Sequence, residues 1–316
     1  WARCAAGGVV PAELARQGAM AQYWPQLEQG ADNGGNMTQH LVNTAWLAER
    51  LDDPTIRIID VRGHVLPASA PPPHYYAHRA DYEASHIPGA VFVDWTKDIV
   101  QPGSPSQDVA EPALFAEVMG RLGVGSETHV VAYDDADSMF AARVWWALRY
   151  YGHERVSVLD GGWKKWTAEG RAVSSEPVVV APAQFTPRVR EELRVTARQI
   201  VERDENTLLI DVRTPDEFHG RSSRAKRAGH IPGAVNVPRS ALVSPDGTMP
   251  APEALRATLV GAGLRLDGAS AITYCNAGVS ASYGMLALAQ LGVPTAVYDG
   301  SWKDWGNNEA LPISTG

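Results

Sequence analysis

Two kinds of apolar pattern alternate along the chain. Short apolar runs, 129–133 and 271–274, read as buried strands, and each is followed by a longer helix-like stretch, 138–150 and 280–291. In the second stretch Ala281, Met285, Leu288 and Leu291 fall on one helical face. Helix-like 44–51 and 196–203 likewise lead into the strand-like runs 56–62 and 207–213. Such alternation predicts an α/β fold, with mostly parallel central sheets flanked by helices. The stretch 171–192 carries Pro177, Pro182 and Pro187 without periodicity and reads as a linker.

The pattern occurs twice, and so do its motifs. Ile59-Asp60-Val61-Arg62 returns as Ile210-Asp211-Val212-Arg213, and His86-Ile-Pro-Gly-Ala-Val returns as His230-Ile-Pro-Gly-Ala-Val. Val131-Ala-Tyr-Asp-Asp aligns with Ile272-Thr-Tyr-Cys-Asn, and Asp160-Gly-Gly-Trp-Lys-Lys-Trp with Asp299-Gly-Ser-Trp-Lys-Asp-Trp. The offset falls in order, from 151 at Asp60 and Asp211 to 144, 141 and 139 at the later motifs. Ordered matches of this kind mark one fold duplicated, with small deletions in the second copy. The expected division is a leader over 1–37, poorly ordered, a first domain over 38–170, the linker 171–192 and a second domain over 193–316.

Composition narrows the function. The 316 residues are 45% hydrophobic and 20% charged, enough apolar material for two ordinary cores. With 28 Lys and Arg against 36 Asp and Glu, the net charge is −8. An acidic balance argues against nucleic acid and anionic membrane as partners. No apolar run approaches the ~18 residues of a membrane span. Residues 1–36 are broken by glycines and Pro11 and lack a continuous signal-peptide core, so a cytoplasmic protein is expected. The two cysteines, Cys4 and Cys275, make no disulfide framework and no zinc spacing.

Cys275 ends a predicted strand and opens the loop Asn276-Ala277-Gly278-Val279-Ser280 that feeds a helix. Gly278 permits a turn there, and Ser280 is positioned to cap the helix. Loop amides pointing inward, with the positive end of the helix, would make an anion nest that favours a thiolate nucleophile. A buried inert cysteine is the alternative for such a residue. The other copy has Asp134 at the matching position, where no sulfur chemistry is available. One active and one supporting domain are therefore expected.

The paired Asp-Val-Arg, His-Ile-Pro-Gly-Ala and Asp-Gly-x-Trp-x-x-Trp motifs and the six-residue loop at Cys275 resemble the rhodanese superfamily, specifically its tandem-domain sulfurtransferases, over about 38–316. The resemblance implies that Cys275 takes a sulfane sulfur from a small anionic donor as a persulfide. A thiophilic acceptor, cyanide or a thiol, that of a protein included, then removes it in ping-pong fashion. The loop residues Asn276, Ala277, Gly278, Val279 and Ser280 would bind the substrate and stabilise the persulfide, with no metal or organic cofactor. Thiosulfate-preferring relatives carry basic side chains after the cysteine, whereas Asn276 and Ala277 are neutral, which places 3-mercaptopyruvate ahead of thiosulfate. Against this, Ala277 replaces the serine typical of the mercaptopyruvate enzymes, and 94–112 contains no His. Arg143 matches an arginine that faces the cysteine across the domain interface, where its forked guanidinium would grip the donor's anionic group.

Other residues carry structural expectations. His86 and His230 are read as turn-fixing, Arg62 and Arg213 as strand-end ion pairs, and Trp163, Trp166, Trp302 and Trp305 as packing aromatics. The cation run 221–227 reads as a solvated loop that shapes the field at the site. A phosphatase of the Cys-x5-Arg type would need arginine where Ala281 stands. The rival of another class is a persulfide carrier that serves a partner protein with little small-molecule turnover.

Overall fold

A computed structural model describes residues 39–316, all within one compact unit. The leader 1–37, Cys4 included, lies outside the described residues, as does Thr38. The strands in chain order are β1 Leu41–Val42, β2 Ile56–Asp60, β3 Gly63–Val65, β4 Tyr75–Ala77, β5 Val91–Phe92, β6 His129–Tyr133 and β7 Val156–Leu159. The second half gives β8 Arg194–Val195, β9 Thr207–Asp211, β10 Val235–Asn236, β11 Ser270–Tyr274 and β12 Thr295–Tyr298.

Two five-stranded sheets form, ordered β1-β7-β6-β2-β5 and β8-β12-β11-β9-β10. Every pairing within them is parallel. The orders are the same under the repeat, so the duplication read from the sequence is a duplication of topology. The buried runs explain the parallel arrangement: a strand covered by helices on both faces needs apolar residues at successive positions. Ile58, Ile59, Val130, Val131, Ala132, Ala271 and Ile272 are all buried. The segment where the offset drops from 151 to 144 contains the one extra element of the first copy, the antiparallel hairpin β3–β4.

The motif residues lock each sheet in the same way. Asp60 accepts the Arg62 side chain and the Tyr133 hydroxyl, and Arg213 donates to Asp211 and to the Gly229 carbonyl. Arg62 lies 4.3 Å over Trp163, and Arg213 lies 4.4 Å over Trp302. His86 and His230 bind backbone carbonyls of Tyr82 and Phe218, and each forms a bridge to a crossing strand end, at Ser174 and Ser314. These are the structural roles expected of them. Residues 171–190 run between the halves without helix or strand, save that bridge at Ser174.

Helices Met139–Tyr150 and Val279–Ala289 pack against each other between the halves. Ten of 12 residues in the first and nine of 11 in the second are buried, so neither presents a polar face to solvent. One apolar core runs through both halves along this contact.

Candidate active site

The central strands β6 and β11 end at matching points, and the residues immediately beyond them are Asp134 and Cys275. This carboxyl edge of a parallel sheet is where α/β proteins place their chemistry. Behind Cys275 the chain turns sharply, and helix Val279–Ala289 begins with Gly278 as its N-cap at φ +72°. Only glycine fits there. A Cβ on Gly278 would stand 2.6 Å from Asp299 Oδ1 and 2.7 Å from Arg143 Nη1. Ser280 is therefore not the cap, and its hydroxyl donates to the Met139 sulfur at 3.2 Å instead.

The first copy shows what this turn holds. Both Asp134 oxygens are filled by backbone donors: Ala136 and Ser138 amides at 2.9 Å to Oδ1, and Phe140 and Ala141 amides at 2.7 and 2.8 Å to Oδ2. Two of these donors come from the turn and two from the second and third residues of helix Met139–Tyr150. Burial pushes the Asp134 carboxyl up to about 6 against the pull of these amides. The loop is thus an anion cradle with a carboxylate built into it.

In the second copy the corresponding donors are the amide of Ala277, two residues past Cys275 as Ala136 is past Asp134, and, counted from the helix start, those of Gly278, Ser280 and Ala281. Gly278 donates to Ser301 Oγ at 3.1 Å, as does Cys275 itself. The amides of Ala277, Ser280 and Ala281 have no hydrogen-bond partner among the described residues. Ser301 is buried with φ +51°, and its hydroxyl donates to the Tyr298 carbonyl at 2.7 Å. The first copy has Gly162 at φ +52° in this place. The backbone repeats as well, since Trp163 N donates to the Asp134 carbonyl and Trp302 N to the Cys275 carbonyl.

Cys275 is 4% exposed. Its surroundings are polar on one side, and several of those groups come from distant segments. Asn276 Nδ2 donates to Glu217 Oε1 at 2.8 Å, and Arg224 Nε lies 3.6 Å from the same oxygen. Arg224 Nη2 donates to the Leu66 carbonyl at 2.6 Å. Lys303 Nζ sits 4.2 Å over the Tyr75 ring and 3.5 Å from Gln107 Oε1. Burial and the Arg224 charge bring Lys303 down to about 8, while Cys275 pulls the other way. Burial pushes Tyr75 up to about 12, with Arg224 opposing and Cys275 and Glu217 adding to the rise. Arg224 Nη1, Tyr75 OH and Asn276 Oδ1 are buried with no hydrogen-bond partner.

Two sequence expectations change here. Arg143 is brought to the Cys275 loop but is not free to grip a donor. Its Nη1 pairs with Asp299 Oδ1 at 2.6 Å, its Nη2 donates to the Gln107 carbonyl at 3.2 Å, and its guanidinium lies 4.5 Å over Trp146. Asp299 also accepts the Val109 amide at 2.9 Å. The pair is a buried clamp between the halves. The run 221–227, in turn, is only partly solvated: Arg221 and Lys226 are exposed, and the other two cations are held by the fold. Arg224 is 11% exposed at its side chain, and Arg227 is spent on carbonyls of Trp305, Gly306, Asn308 and Leu311. Arg224, Lys303, Tyr75 and Ser301 are the site neighbours that sequence reasoning missed. The repeat held one signal, because it aligns Lys303 with Lys164 and Ser301 with Gly162.

Residues 43–169 and 196–308 each match the Rhodanese-like domain family. The chain belongs to the rhodanese family. Its relatives include the sulfur carrier protein TtuD of Thermus thermophilus, 34% identical over 292 residues, covering 87% of this chain and 96% of the relative. The thiosulfate sulfurtransferase of Rattus norvegicus is 36% identical over 279 residues, 84% of this chain and 91% of that one. Among solved structures, SseA of Escherichia coli, described as a 3-mercaptopyruvate sulfotransferase of rhodanese fold, superposes with a TM-score of 0.74 at 34% identity, covering 84% of this chain and 99% of that one. The two family segments contain four strands of each sheet, with the edge strands β1 and β8 just before them, and the second contains Cys275 and its loop. Among the described residues no helix is long and apolar enough to cross a membrane.

Proposed function

We propose that this chain, a rhodanese-type sulfurtransferase, moves a sulfane sulfur from a small anionic donor through a Cys275 persulfide to a thiol or cyanide acceptor. One observation carries the reading: the Asp134 carboxylate within four amides. A carboxylate oxygen stands three bonds from Cα, the same position as the outer sulfur of a cysteine persulfide. At neutral pH the first copy holds, as oxygen, the anion that the second copy would hold for part of each cycle. By this reading the first domain is catalytically silent, and it supports the second through the Arg143–Asp299 clamp.

In the first half-reaction the Cys275 thiolate attacks the donor's outer sulfur. A new S–S bond forms, and the donor's bond to that sulfur breaks. The electron pair leaves on sulfite when the donor is thiosulfate. With 3-mercaptopyruvate it leaves as the enolate of pyruvate, which then takes a proton. The free amides of Ala277, Ser280 and Ala281 hold the charge on the transferred sulfur, as preorganised donors do in acyl transfer. In the second half the acceptor attacks the outer sulfur, and the pair returns to Cys275. Arg224 supplies positive charge for the donor's anionic end. The neutral loop therefore does not make a neutral site, and both donors fit this chemistry. A cytoplasmic setting suits a thiol that must stay reduced.

Intact-mass measurement tests the reading. Wild type treated with either donor should gain one sulfur, and Cys275→Ser should gain none while keeping its fold. Sulfur transfer by the Cys275→Ser variant would refute the mechanism. The relationship to a sulfur carrier favours a second reading, in which the loaded protein serves a protein acceptor. Loading without turnover toward cyanide or small thiols would select it.

A further inference from the structure

Lys303 is a cation without a counter-ion beside the reactive loop. Among the described residues no carboxylate lies within ion-pair distance of its Nζ. The nearest acids in sequence are otherwise engaged: Asp299 by Arg143 and Arg194, and Asp304 by the Tyr298 hydroxyl at 2.6 Å. Glu217 faces Asn276 and Arg224. The backbone fixes Lys303 in place, because its amide donates to the Asn276 carbonyl at 3.0 Å. Its ammonium rests on Tyr75 and Gln107, both from the first domain.

The duplicated chain supplies an internal control. Lys164, the counterpart of Lys303, pairs with Asp137 of its own loop at 2.8 Å. Counted back from the helix caps, Asp137 corresponds to Ala277, which has no charge to offer. The silent copy neutralises its lysine, and the copy with the cysteine leaves its lysine unpaired. Lys303 also shares its surroundings with Arg224, whose charge disfavours it. Two like charges without a full set of counter-ions are relieved by an anion with more than one charge.

We propose that Lys303 is the second cation of the donor site and a specificity-determining residue, which with Arg224 favours a doubly charged S-sulfonate donor over a singly charged carboxylate donor. The proposal rests on the reading of Cys275 as the sulfur-carrying residue. The cation that the Cys275 loop lacks is supplied from helix Ser301–Trp305 instead. The site should then lose its preference as Lys303 deprotonates near pH 8, with Arg224 and Cys275 the charged groups that act on it and Tyr75 the titratable ring beneath it.

The test compares kcat/KM for thiosulfate and for 3-mercaptopyruvate, with cyanide as acceptor, in wild type, Lys303→Met and Lys303→Arg. At pH 7 Lys303→Met should lower the thiosulfate value by about tenfold more than the mercaptopyruvate value, as expected for the loss of one nearby charge. Lys303→Arg should hold the ratio within about threefold of wild type. The wild-type to Lys303→Met quotient for thiosulfate cancels the donor's own titration, and it should fall through a midpoint near pH 8. In Lys303→Arg that fall should be absent up to about pH 10. Equal losses for both donors, or a quotient flat with pH, would overturn the proposal. If Lys303→Met does not fold, the pH behaviour of Lys303→Arg decides alone, and a fall at the wild-type midpoint overturns it. Wild type that gains no sulfur with either donor overturns the Cys275 reading instead, an outcome separate from an unchanged donor ratio in a protein that does load.

Discussion

Ser301 orders the Cys275 turn, and removing its hydroxyl separates two effects that the structure sets against each other. The oxygen accepts the Cys275 and Gly278 amides at 3.1 Å each and is fully buried. Water cannot replace it without opening the core. A buried amide left without a partner costs about 1–3 kcal/mol. For Ser301→Ala the two together give a loss of about 2–5 kcal/mol, after the small gain from burying a methyl group. Ser301 also holds φ +51°, a conformation that costs a side-chain-bearing residue about 1–2 kcal/mol. Ser301→Gly loses the same two acceptor contacts but relieves that strain and restores the residue of the first copy. It should be about 1 kcal/mol milder than Ser301→Ala. Urea unfolding gives the stabilities, and hydrogen exchange at the Cys275 and Gly278 amides shows whether the turn has loosened. The rate of Cys275 sulfur loading, followed by intact mass, should fall by about tenfold or more in both variants, because the remaining amides are no longer aimed. Loading at the wild-type rate, with both variants within about 0.5 kcal/mol of wild type, would refute the view that Ser301 holds the cradle.

Asp134 gives a pH signature. Its carboxyl is raised from 3.8 to about 6, so its stabilising contribution is complete below the unfolded value and is lost as pH rises through about 6. Relative to Asp134→Asn, wild type should lose about 3 kcal/mol between pH 4 and pH 7; urea midpoints at several pH values measure this, and a constant difference contradicts it. Arg143→Met leaves Asp299 Oδ1 without its partner while Arg194 and the Val109 amide still hold Oδ2, and should cost about 1–3 kcal/mol. The double variant Arg143→Met, Asp299→Asn should lose less than the sum of its parts; strict additivity in urea unfolding would show that the two side chains are not a coupled pair.

What the sequence determined by itself was local or repeated. The alternation of buried runs and helical stretches led to parallel sheets, because strand and helix periodicities are written into neighbouring residues. The duplicated motifs located equivalent points in two copies, and the strand–Cys275–loop–Gly278–helix succession placed a cysteine at a sheet edge before any contact was known. The role of Asp134 as an occupied cradle was out of reach, because the matching motif shows that the residue differs and not that four amides turn toward it. The charges were misjudged for the same reason. Arg143 reads as a free guanidinium until folding brings Asp299 against it across 156 positions. Arg224 reads as one of four exposed cations until its segment folds against the Leu66 carbonyl and Glu217. Whether a charged side chain is paired, buried or available depends on the partners that long-range folding delivers. Tertiary structure alone decided which cations were left for an anion, because the desolvation and Coulomb energies that settle it act through space and not along the chain.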